Sequence, residues 1–563
     1  MKFLKTTTIF LIAIFFLIPT TPLLSQSVDE TFFIDSSIDK TGRSSIFATL
    51  QTISDRANFY VDNEYLEGLS SIEKINLNTK LVILGLEFDD VIYPTLTTTY
   101  GSEWNPGIDD DSKIYILISP LKANFAGFVD ARNQKPKSQD PLSNEHEMIY
   151  LNSDIILNQN AKHTLAHEFV HLVEINQRQR QRGVTEQAWL SEALADYAPT
   201  ALGYNDVFNN SYLSARVNDF LSSPTTSLTD WQGSSADFAV SNLFMHFLVG
   251  QWGKSTLAKL MQSSAVGADN IQQATGKTLG DVFLQWSVAN YLNSPTTNGS
   301  EDYSYKQARL SYANLNIKNP ISYSVFPDSE MAGRFGLKQG SSQWIKFTPS
   351  TLGSTGSNTL HISFEFGDDS LINSMPYITT NINGEVDVKY ASAQNGLITI
   401  ENFGNDILSV VVVPAYNILS SSSSSTIFDL TASLTTEDTE TETPDTIPEG
   451  ALIKAKDDPK VYVVKNGTKR WIPSVEIFNG YGHLRWQDII EVSSDVLAQY
   501  TQSRLIKFIG DYRVYEVNQQ GSVKQHLDIT PAQFNASGRL WQAIYEVNQN
   551  EFSRYSTGAP ITF

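Results

Sequence analysis

Two histidines, His167 and His171, stand four residues apart within an apolar stretch that includes Leu165, Ala166, Phe169, Val170, Leu172 and Val173. Apolar residues at this spacing predict a helix. Residues four apart share one helix face about a turn apart, so both imidazoles project the same way from an otherwise apolar surface. That burden needs a reason, and a metal is one. With Glu168 the string reads H-E-x-x-H, in which two imidazole nitrogens can meet one Zn²⁺ while the glutamate reaches a water beside the ion. The chain contains no cysteine, so any metal must be held by His, Asp or Glu.

A second helical string, Trp189–Tyr197, strengthens this expectation. Glu192 follows His171 by 21 residues, and Asp196 lies four further on the same face. A carboxylate at Glu192 can complete a His₂Glu ligand set and leave a fourth position for water. Asp196 can accept the other ring N–H of a ligand histidine and fix its tautomer. A loop containing Gly183 would let the two helices face each other. Glu174 is the alternative third ligand. His163, four before His167, reads as structural or as part of the rim, because zinc is already satisfied by three ligands and water. Asp109–Asp111 could hold Ca²⁺, but no EF-hand spacing follows and a solvated turn is the plainer reading. Arg178, Arg180 and Arg182 read as complements to the helix C-terminal dipole.

The rest of the chain separates by texture into a multidomain plan. Residues 28–300 mix strand-length apolar runs, such as Lys113–Ser119 and Met148–Asn152, with helical periodicity, and are expected to form an α+β domain. Within it, Ala126–Asp130 is a strand that could pair with an extended substrate backbone. Residues 305–434 carry short strands between Gly, Ser and Asn clusters and predict an antiparallel β-sandwich with Ser420–Ser425 as a loop. Residues 435–450 are acidic and Thr/Pro-rich, which predicts an extended linker. Beyond it, Leu452-Ile-Lys recurs at Leu505-Ile-Lys, 53 residues later, so 451–504 and 505–563 are expected to be two small α+β, β-rich repeats. Trp471, Tyr481, Trp486 and Trp541 read first as their cores, with stacking on sugars as the alternative.

Two charged residues in Met1–Lys5, ten apolar residues from Ile9 to Ile18, and then Pro19 and Pro22 follow the order of a secretory signal, expected to occupy residues 1–25. A spanning helix wants about 20 apolar residues, so export to the cell surface or medium is expected. Asp and Glu number 61 against 40 Lys and Arg, a formal net charge of −21. Such a surface repels phosphate backbones, and nucleic acid is not an expected partner.

The ordered series Phe88–Pro94, Asp109–Ile114, Ala126–Asp130, Met148–Asn152, Thr164–Glu168, Trp189–Ala193 and Leu243–Leu248 resembles the gluzincin metallopeptidases of the thermolysin-like branch. It is similar in particular to the hyicolysin-type secreted bacterial metallopeptidases, over about residues 45–295. The resemblance implies a zincin-like domain hydrolysing protein or peptide substrates. In it His167, His171 and Glu192 would bind one zinc, Glu168 would be the catalytic base, and Asp196 would sit behind a ligand. The tyrosine that often stands near Ala236–Ala239 in such proteins, a candidate oxyanion donor, is here Phe238. Tyr204, Tyr212 and His246 are the candidates to replace it, and spacing does not choose among them; His246, on a helix with Phe244, Phe247 and Leu248, reads first as a satisfied core histidine. The second reading is a cell-surface binding or adhesion protein with a vestigial zincin domain. In either case the repeats are expected to attach the protein to the cell envelope.

Overall fold

The structure, a computed structural model, describes residues 29–294, 302–326, 329–350, 357–367, 374–392, 396–417, 424–437, 447–455 and 458–562. The signal expected at 1–25, much of the Ser420–Ser425 tract and most of the acidic stretch 435–450 lie outside the described residues. Among the described residues no helix is long and apolar enough to cross a membrane. The chain divides into two compact units. One runs to Val282 and includes Tyr305–Leu315; the other combines Phe283–Ser304 with the residues from Asn316 onward. The division falls inside the helix Leu279–Leu292 rather than near residue 300. In the second unit Trp344 Nε1 donates to the Ser287 carbonyl at 2.9 Å, and the Ser287 and Ser342 hydroxyls bond at 2.6 Å.

The first unit is α+β. Its strands are β1 (Asp29–Phe33), β2 (Ser45–Ile53), β3 (Ala57–Asp62), β4 (Ile114–Ser119), β5 (Gly127–Phe128) and β6 (Met148–Asn152), ordered β1-β2-β3-β4-β6-β5. β3, β4 and β6 are parallel, and antiparallel strands flank them on both sides. β3 and β6 are buried along their whole length, as central parallel strands are. The helices preceding and forming the site are α1 (Asn63–Gly68), α2 (Ser71–Glu87), α3 (Tyr93–Tyr100), α4 (Asn160–Glu174), α5 (Ala188–Asp196), α6 (Ala198–Ala201), α7 (Tyr212–Ser222) and α8 (Ser235–Trp252). α4 packs on β6, α5 and α6. Its buried face carries Leu165, Phe169, Leu172 and Val173, with Phe169 edge-on to Phe88 at 5.2 Å.

In the second unit two sheets enclose one apolar core. One is ordered β13 (Leu397–Ile400), β10 (Ser357–Phe366), β15 (Ser425–Glu437), β8 (Glu330–Lys338), and the other β12 (Val386–Ser392), β11 (Ser374–Asn381), β14 (Ile407–Val412), β9 (Ile345–Pro349), β7 (Ile321–Val325). Alternate residues point inward, as in Ile362, Phe364 and Phe366, which pair side by side with Ala432, Leu430 and Phe428 of the neighbouring strand. The sandwich is antiparallel except where Ile321–Val325 runs parallel to Ile345–Pro349. Its last strand, Ser425–Glu437, enters the stretch expected to be linker, because Thr435 and Thr436 pair with Thr359 and Asn358. The two C-terminal copies have the same topology. Their five-stranded sheets are ordered β19 (Ile489–Val492), β16 (Leu452–Ala455), β17 (Tyr462–Lys465), β18 (Thr468–Trp471), β20 (Thr501–Gln502) and β24 (Tyr545–Val547), β21 (Leu505–Phe508), β22 (Val514–Val517), β23 (Val523–His526), β25 (Ser556–Thr557), with β16 parallel to β19 as β21 is to β24.

Candidate functional site

The helical period of α4 turns His167 and His171 to one side, and α5 brings Glu192 across from them. Glu192 Oε2 lies 3.2 Å from His167 Nε2 and 3.7 Å from His171 Nε2, and the two Nε2 atoms are 3.2 Å apart. A tetrahedral ion bound at about 2.0–2.1 Å would hold its ligand atoms about 3.3–3.4 Å from one another, so the triangle has the size of such a site. Glu192 Oε2 is buried without a hydrogen-bond partner. A lone buried carboxylate oxygen is costly, and a cation among the three atoms would remove that cost. Two imidazoles and a carboxylate are a donor set suited to zinc. Among the described residues, this is the convergent His/Asp/Glu group able to hold a metal.

Each imidazole has a carboxylate behind it. His167 Nδ1 is 3.7 Å from Asp196 Oδ1, and His171 Nδ1 is 3.7 Å from Glu174 Oε2. Glu174, the alternative third ligand, thus stands behind His171 and accepts from Ser191 Oγ at 2.5 Å. Asp196 is fully buried and is compensated by α7: Arg216 Nε donates to Oδ2 at 2.9 Å, Arg216 Nη2 to Oδ1 at 3.1 Å, and Tyr212 OH to Oδ1 at 2.6 Å. Burial raises the pKa of Asp196, but Arg216 and His167 outweigh it and bring it to about 2. Burial lowers that of His167, while Asp196 and Glu192 lift it to about 9. His171 is raised in the same way by Glu192 and Glu174 against its burial. Glu168 is 6% exposed; burial raises its pKa, and the two histidines only partly offset this.

A cleft of about 830 Å³ opens over these residues, with Phe125–Val129 along one side and Arg216, Trp231 and Phe238 among its lining. β5 is the edge strand of the sheet, hydrogen-bonded to β6 on one side. Phe238 stacks under the Arg216 guanidinium at 4.8 Å and edge-on to Trp231 at 4.9 Å. His163 also lines the cleft; its Nδ1 is buried without a partner, and burial lowers its pKa.

The three candidate donors are placed differently. Tyr204 is absent from the cleft lining, and its hydroxyl donates to Glu87 Oε1 at 2.7 Å. His246 is fully buried in α8 between Thr200 Oγ1 and the Asn242 carbonyl, both at 2.9 Å. Tyr212 lines the cleft, with its hydroxyl committed to Asp196. Arg216 was missed. The signal for it was indirect: a buried Asp196 needs a cation, and Arg216 sits four after Tyr212 on an amphipathic helix. Asp109 accepts from its own turn at Asp111 N and contacts His146 Nδ1 at 2.6 Å, so the acidic triplet is a hydrogen-bonded turn. Arg178 is not a surface complement to the helix dipole. After α4 the chain continues as a π-helix, Ile175–Arg180, which turns Arg178 inward to a fully buried pair with Glu186 at 3.0 Å.

No protein-family model matches the chain. Part of it is similar in sequence to the neutral metalloprotease ShpI of Staphylococcus hyicus, at 27% identity over 239 residues, 37% of this chain and 52% of that protein. The chain thus spans about half the length of this relative. Among solved structures, the Yersinia pseudotuberculosis-derived mitogen aligns with 21% of the chain at 14% identity and a TM-score of 0.16. Aeromonas hydrophila PliG, a periplasmic lysozyme inhibitor, aligns with 21% at 9% identity and a TM-score of 0.14. Overlaps this small carry no conclusion about the fold. The sequence similarity relates part of this chain to a metalloprotease, a class whose members carry a metal.

Proposed function

We propose that this protein is an exported zinc-dependent endopeptidase with a zincin-like catalytic domain acting on protein or peptide substrates. The observation that carries the reading is the triangle of His167 Nε2, His171 Nε2 and Glu192 Oε2, with its orphaned buried oxygen. Bound there, zinc supplies Lewis acidity that acidifies a water and polarises a carbonyl. Glu168 is the proton carrier: its carboxylate takes the proton of the attacking water and returns it to the leaving amine. Its raised pKa suits a group that must accept and then release a proton. Asp196 and Glu174 orient the two ligand imidazoles through Nδ1, and Arg216 holds Asp196 ionised. The free edge of β5 aligns an extended substrate backbone across the cleft. Arg216 and His163 line the same cleft and are the candidate donors to a developing oxyanion, in place of the tyrosine absent at Phe238.

The test is metal analysis and casein cleavage with the purified full-length chain and Glu168→Gln. Stoichiometric zinc in both, with cleavage only in the wild type, is the expected result. Cleavage by the variant at the wild-type rate would overturn the mechanism. A wild-type chain that binds no zinc and stays inactive after zinc addition would overturn the enzyme reading.

A further inference from the structure

Each C-terminal copy lays one tryptophan flat on a phenylalanine. Trp486 stacks on Phe478 with centroids 4.2 Å apart at 25°, and Trp541 on Phe534 at 4.1 Å and 27°. Each indole N–H donates to an asparagine, Asn479 at 3.1 Å and Asn535 at 2.8 Å. The ring planes are thereby fixed, yet the two residues remain 48% and 49% exposed. Trp541 opens onto a cleft of about 560 Å³ between the copies, bounded by Val463–Lys465 of the first and by Lys507, Tyr512 and Glu546 of the second. Tyr512 is 90% exposed, and the matching position of the first copy, 53 residues earlier, is Pro459. The cleft walls are held rigidly. Arg470 and Glu551 pair across the copies, both buried, and Ser503 Oγ donates to the Ala543 carbonyl at 2.6 Å while the hydroxyls of Thr468 and Tyr545 bond at 3.0 Å.

We propose that this inter-copy cleft binds a linear pyranose oligosaccharide, with sugar rings stacked on Trp541 and Tyr512. A pyranose has an apolar C–H face and a polar rim. It therefore matches the face of Trp541, fixed in plane, with the exposed ring of Tyr512 in the same cleft, beside groups that exchange hydrogen bonds. Those groups are present. Lys507 pairs with Glu546 at 2.7 Å, and Lys465 Nζ donates to the Ile544 carbonyl at 3.2 Å. Each ammonium keeps further donors, and Glu546 keeps acceptor capacity. Glu546 neutralises Lys507 and leaves Lys465 as the one uncompensated charge of the lining, a small charge that an uncharged sugar tolerates. Nucleic-acid bases would also stack, but the net charge of −21 opposes their phosphates.

Binding here asks nothing of His167 or Glu192, so it is tested apart from proteolysis. The full-length Glu168→Gln chain is applied to an array of defined oligosaccharides and titrated with chitotetraose and cellotetraose, following tryptophan fluorescence. Saturable binding of at least one linear pyranose oligosaccharide is expected. Tyr512→Ala, at a site too exposed to affect folding, should weaken it at least tenfold, and Trp486→Ala in the first copy should leave it unchanged. Absence of binding on the array and to both tetraoses at millimolar concentration would overturn the proposal. So would wild-type affinity in Tyr512→Ala, or a proline-rich peptide that binds the cleft where no glycan does.

Discussion

A β-carbon on Gly127 would stand 3.1 Å from Cγ of Glu168 and 2.8 Å from the Tyr150 carbonyl oxygen. The edge strand therefore lies against the helix at a distance that only glycine allows. This sets the unpaired backbone edge of β5 beside the carboxyl proposed as proton carrier. Gly127→Ala must displace the strand or the Glu168 side chain by several tenths of an ångström. A displacement on this scale near the chemistry is expected to lower kcat/KM by about 10–100-fold, with zinc content unchanged. Steady-state kinetics on a peptide substrate beside metal analysis checks it. Unaltered kcat/KM would show that the strand takes no part in catalysis.

The ligand roles separate by variant. Glu192→Ala is expected to lose most zinc affinity, since two imidazoles alone leave the ion without its third protein ligand. Asp196→Asn and Glu174→Gln, behind the ligands, should each weaken zinc binding by about 10–100-fold. Competition titration with a chromophoric chelator measures all three. Zinc loss in Glu174→Gln with retention in Glu192→Ala would reverse the assignment.

Zinc binding should also be proton-coupled. Without metal the His167 pKa is raised to about 9 by Asp196 and Glu192 against its burial. The ring must shed its proton before its nitrogen can coordinate. Apparent zinc affinity is therefore expected to rise with pH from 6 toward about 9, and the raised His171 pKa acts in the same direction. Titrations at a series of pH values test the sign; affinity independent of pH between 6 and 8 would contradict it.

The sequence and the structure agree where spacing alone decides geometry. Helical period puts His167 and His171 on one face and Glu192 and Asp196 on another, whatever the tertiary fold does. The residues that depend on which helices meet were not legible. Arg216 reaches Asp196 from a helix 20 residues downstream, and Glu174 was weighed as a ligand because its spacing from His171 cannot say which ring nitrogen it faces. Spacing does not separate Tyr204 from Tyr212, whereas the apolar neighbours of His246 already suit a core histidine. Packing sends Tyr204 to Glu87 and His246 into the α8 core. The repeats were legible from the recurrence of Leu-Ile-Lys and Val-Tyr. Their mutual docking was not, because Arg470 aligns with Gln525, and Glu551 with Val496, so the ion pair is formed once and breaks the repeat symmetry.

A buried acid outside the cleft makes stability depend on pH. Glu147 is 2% exposed, packed against Gly107, and accepts only long bonds of 3.3 Å from Ile108 N. Burial raises its pKa from 4.5 to about 7. The folded state then binds the proton more tightly than the unfolded state. This group's contribution is fully present below pH 4.5 and is lost as pH rises through about 7, a change of about 3 kcal/mol. Glu147→Gln keeps the shape without the charge, so its stability should exceed that of wild type at pH 8 and approach it at pH 4.5. Denaturant unfolding of the two proteins at both pH values checks this; an equal difference at each would show that Glu147 does not titrate in this range.

The two C-terminal copies should unfold together. Glu551 is fully buried and takes Arg470, Tyr481 and Tyr555 as partners, two of the three from the other copy. Removing one member of a buried ion pair leaves the other uncompensated, at a cost of about 3–5 kcal/mol. Glu551→Ala is therefore expected to lower the melting temperature of the C-terminal transition and to split it into two, while leaving peptide hydrolysis unchanged because the cluster proposed as catalytic lies in the first unit. Truncation after residue 439 should likewise preserve hydrolysis of small peptides. Differential scanning calorimetry of the full chain, paired with a peptide assay, reads both effects. A single transition of wild-type temperature in Glu551→Ala would mean that the copies are held together by their other contacts. Loss of peptide hydrolysis in the folded truncation would mean that the repeats support the active site directly, and the role assigned to them as a separate attachment module would fail.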